Sequence, residues 1–383
     1  MRPRPSSTGR RPPGFGVAGA LWLPLLLAFL GPAGAQAQVR ITFSAVGDIH
    51  FGRPKSALQN VTAPFARVEH LWKGRDIVYG NLETPVSAAP YRNVKAPRDC
   101  RKLTCNRDQE HYFYWYNLTF WTRPANLLLL KQAGFTLLGT ANNHVEDQGP
   151  QGLLDTITHL KAAGLSFAGT GATEAEAWAP FVFEKSGVKV AVLIVTALHN
   201  LPASRKGAFF AASLYPNYHT ELPAKVREVK KTADFVVVAL HYGKELETKP
   251  LPMERKLVES LEAAGCDLFI GGHPHVLRGI QVHGKMVAFY SMGNFLFLVN
   301  AGDRVQTGVA QADFVKDARG RRLENVLFHP VLSDSGPNGN LPRAVTGHTA
   351  RSVLINVKHY SRMFRNPEGT LTLDGDRLLV KPN

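Results

Sequence analysis

Cysteine is scarce in this chain, with three among 383 residues. No Cys-x-x-Cys pair is present, which argues against a zinc site built from thiolates. Cys100 and Cys105 lie in a polar stretch, and an oxidising compartment would allow them to form a disulfide. Cys266 has apolar neighbours and is predicted to be an ordinary buried thiol. The chemistry of a functional site therefore has to come from other side chains.

Long apolar runs are equally few. Residues 17–30 are apolar except for Gly and Pro, and this run is short for a bilayer span, which needs about 20 apolar residues. Arginines precede it and small residues at 33–37 follow it, which is the order of a secretory signal. We therefore predict that residues 1–37 are a signal peptide and that the protein is exported to the periplasm or the extracellular space. An uncleaved N-terminal membrane anchor is the alternative, and no later run is long enough to cross a membrane.

Acidic residues are outnumbered, at 30 Asp and Glu against 45 Lys and Arg, giving a formal charge of +15. Residues 1–37 contain four arginines and no acid, so the charge without them is 15 − 4 = +11. This excess favours an acidic partner, such as an anionic polymer or a phosphorylated substrate of the cell envelope; a solvated arginine surface is the alternative. The chain has no nucleic-acid-binding motif, so nucleic acid is not an expected partner.

From residue 41 onward, β-branched or aromatic runs alternate with polar loops and helical patterns, which favours an α/β layered domain. The predicted strands are 41–46, 76–79, 135–138, 188–195, 234–240, 268–270 and 286–290. The clearest predicted helices are 152–163, 224–231 and 253–264. Residues 88–122 do not follow this alternation and contain an aromatic run at 111–116. They are predicted to be a loop packed against the body, with a lid over the site as the alternative.

Polar side chains follow the predicted strands at the point where each strand ends. Ligands of α/β proteins bind beyond the carboxyl ends of the strands, so these side chains are expected to share one crevice. They are Asp48, His50, Glu83, Asn143, His144, His241, His273 and His275. A lone Asp after a strand is usually a cap, and a lone His is usually a satisfied interior residue. The ordered set therefore carries the prediction, rather than any single member.

The composition of this set indicates a metal centre. Imidazole nitrogens suit Zn, Fe and Mn, and carboxylate and amide oxygens suit harder cations. The set exceeds what one tetrahedral ion needs, so two divalent ions are predicted. Two ions about 3.5–4 Å apart activate a water and hold both oxygens of a phosphoryl displacement.

These motifs resemble the CapA family of bacterial poly-γ-glutamate capsule synthesis proteins, which belongs to the calcineurin-like metallophosphoesterase superfamily. The similar runs are AVGDIHFG (45–52), GNLETPV (80–86), ANNHVEDQGPQGLLDT (141–156), LHYGKE (240–245), GGHPHVLRGI (271–280) and YSMGNFLF (290–297). They cover about residues 41–298 of one domain predicted at 39–383, and a β-rich stretch at 299–383 completes it.

The resemblance implies a four-layer α/β/β/α sandwich and a role for each matching residue. Asp48, His50 and His275 would hold one metal, and Asn143, His241 and His273 would hold the other. His144 would protonate the leaving oxygen. Glu245, Ser291 and Asn294 belong to the same pattern, and they are expected to support the ligands or to face the substrate.

One position departs from the superfamily. Related phosphoesterases bridge the two ions with an aspartate after the second strand, where this chain has Asn81, with Glu83 two residues later. A neutral amide is a poor bridge between two dications. Either Glu83 bridges the ions, or one metal site is weak.

Two functions of different classes follow. The first is a metal-dependent hydrolase acting on a phosphate ester or related bond of an envelope metabolite. The second is a non-catalytic role in capsule polymer synthesis or export, in which the basic surface binds the anionic polymer and the protein acts with the capsule synthesis machinery. A degenerate scaffold is disfavoured, because nearly every ligand position is filled.

Overall fold

The structure is a computed structural model that describes residues 38–91, 120–200, 210–212, 218–298, 301–336 and 339–382. The predicted signal peptide, the Cys100 and Cys105 pair and the aromatic run at 111–116 lie outside these residues. Export, the disulfide and the packing of that loop, with a lid as the alternative, therefore stay predictions. Within the described ranges, no helix is both long enough and apolar enough to span a membrane.

The described residues form strands and helices that alternate over much of the chain. The strands are β1 (Val39–Ile49), β2 (Ile77–Leu82), β3 (Leu137–Gly139), β4 (Ser166–Ala168), β5 (Thr170–Gly171), β6 (Phe181–Lys185), β7 (Val188–Thr196), β8 (Phe210–Ala211), β9 (Phe235–His241), β10 (Leu268–Gly272), β11 (Ile280–His283), β12 (Met286–Phe289), β13 (Asn294–Leu296), β14 (Gln306–Asp317), β15 (Gly320–Gly336), β16 (Gly339–Ala344), β17 (Leu371–Asp374) and β18 (Arg377–Val380). The helices are α1 (Ala125–Gln132), α2 (Gly149–Ala163), α3 (Glu174–Trp178), α4 (Tyr218–Lys230), α5 (Pro252–Ala263) and α6 (Gly347–Ser361).

Two sheets carry the fold. The first has the strand order β17-β18-β15-β14-β1-β2-β3-β4, with β13 beside β1 and β16 beside β15. The second has the order β11-β12-β10-β9-β7-β6. Strands β1, β2, β3 and β4 run parallel in the first sheet, and β7, β9, β10 and β12 run parallel in the second. In each sheet, the carboxyl ends of these strands lie along one edge.

Alternation along the strands explains how the sheets pack. In β9, the side chains of Phe235 and Val237 enter the core between the sheets, where they meet Ile41 and Phe43 of β1. The intervening side chain Val236 packs on the outer face. Both faces of β9 are buried, which is why its sequence is an unbroken apolar run rather than an alternating one.

Helices cover the outer face of each sheet. Leu257 and Val258 of α5 pack against the second sheet. Leu127 of α1 and Leu160 of α2 pack against the first. The layer order is therefore helix, sheet, sheet, helix, which confirms the predicted four-layer α/β/β/α sandwich.

The observed elements extend beyond the predicted ones in two places that matter for function. Strand β1 continues through Asp48, and β9 continues through His241, because the ladder hydrogen bonds persist after the apolar run stops. The last part of the chain, predicted to be a β-rich stretch, contains strands β14 to β18 and also helix α6, which was not predicted. It places Val353, Leu354 and Val357 in the core between the sheets.

Candidate metal centre

The predicted polar residues converge where the carboxyl edges of the two sheets meet. Asp48 comes from β1, and the backbone N–H of His273, just after β10, donates to its Oδ2 at 3.2 Å. Gly272 makes this approach possible, because a Cβ there would lie 2.8 Å from Oδ1 of Asp48. The two sheets are thus joined at the site by direct polar contact.

Asp48 is fully buried and its carboxylate has two neutral donors. Besides the His273 N–H, the side-chain amide of Asn81 donates to Oδ1 at 2.9 Å. Burial raises the pKa of Asp48 to about 6, and these hydrogen bonds only partly oppose that effect. A nearby positive charge would favour the ionised form.

Glu83, directly after β2, is more isolated still. It is fully buried, and neither carboxylate oxygen has a hydrogen-bond partner within the described residues. Burial, followed by repulsion from Asp48, Glu245 and Asp147, raises its pKa well above the usual value. A buried acceptor of this kind is costly unless another group binds it.

Two groups of side chains have the spacing of a metal site. Ligand atoms of Glu83, His273 and His275 lie within 4.8 Å of one another, and so do ligand atoms of Asp48, Glu83 and His241. Glu83 belongs to both groups. It is the one carboxylate that the two groups share, whereas Asn81 donates its amide to Asp48.

Four buried imidazoles have lowered pKa values, which suits metal coordination. Burial lowers the pKa of His50, His241 and His273 well below the usual value, and that of His275 to about 4. Neutral rings keep a nitrogen lone pair for a cation. In the described part of the chain, both ring nitrogens of His50 and Nδ1 of His273 are buried without a hydrogen bond. These orphaned atoms and the Glu83 oxygens fit a divalent cation chemically.

The grouping of ligands differs from the pairing that the resemblance implied. That pairing put His273 and His275 on different ions, whereas here both lie with Glu83. His50 is in neither group, and its ring lies between Phe120, at a centroid distance of 3.7 Å, and Phe297, at 4.6 Å. The assignment of each residue to one ion stays a prediction.

Asn143 reaches the site from the loop after β3. Its Oδ1 lies 2.9 Å from Nε2 of His241, and its amide nitrogen donates to Oδ1 of Asn200 at 3.0 Å. Asn200, in the loop after β7, thereby holds the amide so that its oxygen faces the site. The sequence did not point to Asn200, because a lone Asn after a strand has no distinguishing pattern.

His144 has an oriented ring. Its Nδ1 lies 2.8 Å from Oδ2 of Asp147, which also accepts the backbone N–H of Phe120 at 2.7 Å. With Nδ1 donating to Asp147, Nε2 is directed toward Glu83, whose Oε1 is 3.8 Å away. Asp147 was also missed, although its position three residues after His144 in a turn is a signal that could have identified it.

The three supporting residues occupy different places. Asn294 accepts from Nδ1 of His275 at 2.8 Å, which leaves Nε2 of that ring for a ligand. Ser291 donates to the carbonyl of Val276 at 2.7 Å and so holds the same loop. Glu245 is partly buried in the loop after β9, and burial raises its pKa while His144 and Arg304 oppose the rise. Asn294 and Ser291 therefore hold the loop of His275, and Glu245 lies close enough to Glu83 to act on it electrostatically.

The loop with the two histidines has an unusual backbone. His273 has φ of 93° and His275 has φ of 59°, the left-handed region that favours glycine. Such conformations persist when the surrounding structure holds them, and they are concentrated at functional sites. The loop is therefore held against its own backbone preference, in a form that brings both rings to Glu83.

The comparisons with known proteins cover the whole site. A profile described as "Bacterial capsule synthesis protein PGA_cap" matches residues 42–298. The "Capsule biosynthesis protein CapA" of Bacillus anthracis is 31% identical over 274 residues, which are 70% of this chain and 62% of that protein. This chain thus spans less than two thirds of that relative. The "PGA biosynthesis protein CapA" of Bacillus subtilis (strain 168) is 32% identical over 323 residues, 80% of this chain and 78% of that protein.

Among solved structures, a 5'-nucleotidase precursor from Thermus thermophilus is similar at a TM-score of 0.43. The sequence identity is 15%, over 84% of this chain and 59% of that chain. Similarity at this level assigns no reaction.

Proposed function

Because the chain belongs to the bacterial capsule synthesis family whose profile spans residues 42–298, we propose that it acts in making or exporting a capsule polymer through a metal-dependent hydrolytic site. The relatives named for capsule and PGA biosynthesis support the polymer context. The reaction class proposed is hydrolysis of a phosphate ester or a related bond in an anionic envelope substrate.

One observation carries the proposal. Asp48 and Glu83 are fully buried side by side, and within the described ranges their only ion-pair partners are imidazoles of His144, His241 and His275 at 3.7–3.9 Å. Two buried carboxylates without Lys or Arg are strongly unfavourable unless a cation neutralises them. The nitrogen and oxygen donors around them suit Mn, Fe or Zn.

Each residue of the site has its own role in the proposed hydrolysis. Glu83 would be the ligand common to both groups, with Asp48 and His241 on one side and His273 and His275 on the other. A bound divalent ion supplies Lewis acidity and a water that ionises near neutral pH. With protons on both ring nitrogens, His144 would donate from Nδ1 to Asp147 and would give the Nε2 proton to a leaving oxygen, which leaves the neutral ring.

Two arginines near the site favour an anionic substrate. The charge of Arg53 acts on His50, where, after burial, it helps to lower the pKa. Arg304 acts in the same way on His275. Neither guanidinium forms an ion pair with an acid of the described residues. Both remain available to attract phosphate or carboxylate groups.

The test of catalysis separates chemistry from metal binding. Protein loaded with Mn²⁺ is expected to hydrolyse an aryl phosphate, and His144→Gln is expected to lower kcat by about 10²–10⁴-fold, the usual contribution of a general acid, without changing the metal content. His70→Gln, an exposed histidine, is the matched control. Equal rates for wild type and His144→Gln would contradict the catalytic role.

A second candidate is binding of the anionic polymer without catalysis, which the +11 charge favours. It predicts binding to poly-γ-glutamate that weakens as salt rises, because exposed charges are screened. The binding should be unchanged in His144→Gln. Absence of binding at low salt would count against this function.

A further inference from the structure

A buried arginine lies behind the site, outside the set of predicted residues. The side chain of Arg278 has no solvent exposure, and its Nη1 lies 2.8 Å from Oε2 of Glu254. The same guanidinium donates from Nε to the carbonyl of Glu247 at 2.8 Å and from Nη2 to the carbonyl of Lys244 at 3.2 Å. One side chain thus binds an acid on α5 and both sides of the loop that carries Glu245.

The loop backbone lies directly on this ion pair. Gly243 has φ of 95°, and a Cβ at this position would lie 2.7 Å from Oε1 of Glu254 and 3.0 Å from Nη1 of Arg278. Glu254 also accepts the backbone N–H of Leu251 at 2.9 Å, which ties the pair to the start of α5. The contact requires glycine, so the loop at 243–247 is held closely against the guanidinium.

The same arginine is part of the segment that carries the histidine ligands. Arg278 follows His275 by three residues, and its backbone N–H donates to the carbonyl of Ser291 at 3.2 Å. The two loops are also joined directly, since the backbone N–H of Leu246 donates to the carbonyl of Pro274 at 2.8 Å. The loops at 243–247 and 273–278 therefore form one connected unit around Arg278.

We propose that Arg278 and Glu254, here called the Arg278 latch, position the metal ligands by fixing the loop of His273 and His275 against the loop of Glu245. A buried ion pair adds little stability compared with apolar side chains of similar volume. Its value here lies in geometry, because a planar guanidinium holds three acceptors in fixed directions. This inference rests on the proposed metal centre, and it assigns to the latch no contact with substrate.

The latch is tested by metal affinity. The double variant Arg278→Met with Glu254→Gln removes both charges, so neither is left buried alone, and the introduced amide keeps an oxygen for the N–H of Leu251. Its Co²⁺ affinity, measured by titration calorimetry, is expected to fall about 10–100-fold, the usual effect of losing a group that orients metal ligands. The Co²⁺ absorption bands should shift, which a purely structural role would not cause.

The matched control is Arg75→Met with Asp313→Asn. It removes another largely buried Arg and carboxylate pair, joined at 2.6 Å, in which Asp313 lies opposite Thr42 of β1, six residues before Asp48. Arg40, which also binds Asp313, keeps Glu324 as a partner. Its Co²⁺ affinity is expected to stay within about twofold of wild type. Arg278→Lys keeps the positive charge but loses the planar set of guanidinium donors, so an intermediate Co²⁺ affinity is expected. This variant replaces the double variant if the double variant does not fold.

The outcomes are distinct. Wild-type affinity and spectrum in the folded latch variants would overturn the latch while leaving the metal centre intact. An equal loss of affinity in the control would also overturn it, because the effect would then be a general loss of stability. A wild-type protein that bound no Co²⁺ would overturn the proposed metal centre and the latch together.

Discussion

Acidic residues at the amino ends of the parallel strands have different partners from those at the carboxyl ends. Asp76, Asp234 and Asp267 each directly precede a strand, and each has a lysine partner, with Nζ to carboxylate distances of 3.0, 2.7 and 2.7 Å. Each also accepts a backbone N–H from a neighbouring strand. At the carboxyl ends, Asp48 and Glu83 have imidazoles instead.

The difference agrees with the metal centre proposed at the carboxyl ends. A carboxylate with a lysine and a backbone N–H has its partners within the protein. At Asp76 and Asp234 these partners outweigh burial and lower the pKa, whereas at Asp267 burial still raises it. A buried carboxylate that faces imidazoles without Lys or Arg keeps an unneutralised charge in the metal-free protein, which lowers stability and which the proposed cation would offset. Substitutions at the amino ends of the strands should therefore affect unfolding alone, and substitutions at the carboxyl ends should affect metal binding.

The largest effect is expected from Glu83→Gln. Because Glu83 belongs to both ligand groups, its loss should reduce Co²⁺ affinity by more than the roughly 100-fold at the upper end for an outer-shell residue. The metal-free variant should unfold at a higher temperature than metal-free wild type, since a buried charge is gone. A calorimetric titration and a thermal melt in chelator measure the two effects. Lower stability without metal would break the comparison.

A smaller effect is expected from Asn200→Ala. Without Oδ1 of Asn200, the Asn143 amide loses the contact that holds its oxygen toward the site, and Co²⁺ affinity should fall about tenfold. Asn200→Asp keeps an acceptor for the Asn143 amide and should bind nearly as well as wild type. If both variants bound equally weakly, amide orientation would not be the cause.

At the opposite end, Asp76→Asn should lower the free energy of unfolding by about 1 kcal/mol, the usual worth of a partly exposed pair with hydrogen bonds. Denaturant unfolding measures the change, and Co²⁺ affinity should not move. A change in metal binding would show that the two ends are coupled.

The smallest effect is a pair of opposite pH dependences in metal-free protein. Burial raises the pKa of Asp48 to about 6, so its contribution to stability is full below the unfolded value near 3.8 and is lost as pH rises through about 6. Burial alone would raise the pKa of Asp76 too, but bonds from Thr42 and Lys185 outweigh it and lower the pKa. Its contribution is present above about 3.8 and is lost as pH falls through the lowered value.

Denaturant unfolding from about pH 3 to 8 with chelator checks this pair. Asp48→Asn should make the slope of stability against pH more positive between about pH 4 and 6, where the buried histidines with lowered pKa values act in the opposite direction to Asp48. Asp76→Asn should flatten the loss on the acid side. Saturating Co²⁺ should reverse the contribution of Asp48 to this slope, because the cation favours the ionised carboxylate. An unchanged slope in Asp48→Asn would assign it to another group.

Much of this arrangement was readable in the sequence. Apolar runs such as those of β7 and β9 identified the parallel strands, and polar residues placed after them identified the site edge. Helix α6 was missed although Ala350, Val353, Leu354 and Val357 have helical spacing, because β-branched residues also favour strands. The helical periodicity was present in this segment, but its β-branched composition indicated a strand.

Other features depend on side-chain directions that a sequence does not contain. Glu83 and Asn81 lie two residues apart, and only the structure shows that the acid enters both ligand groups while the amide donates to Asp48. Arg278 reads as an ordinary surface cation until its burial is known. Asn200 comes from the second sheet, and its contact with Asn143 arises only from the packing of the two sheets.

The left-handed backbone at His273 and His275 has a consequence for anyone who improves this protein by screening. A non-glycine residue in that region costs of order 1–3 kcal/mol, so glycine at either position would relax the chain. A library ranked by heat resistance alone, in buffer containing chelator, would select glycine there, and discard the imidazole, wherever this relief exceeds the packing that the ring supplies. The most robust clones from such a screen would be the ones least able to hold an ion.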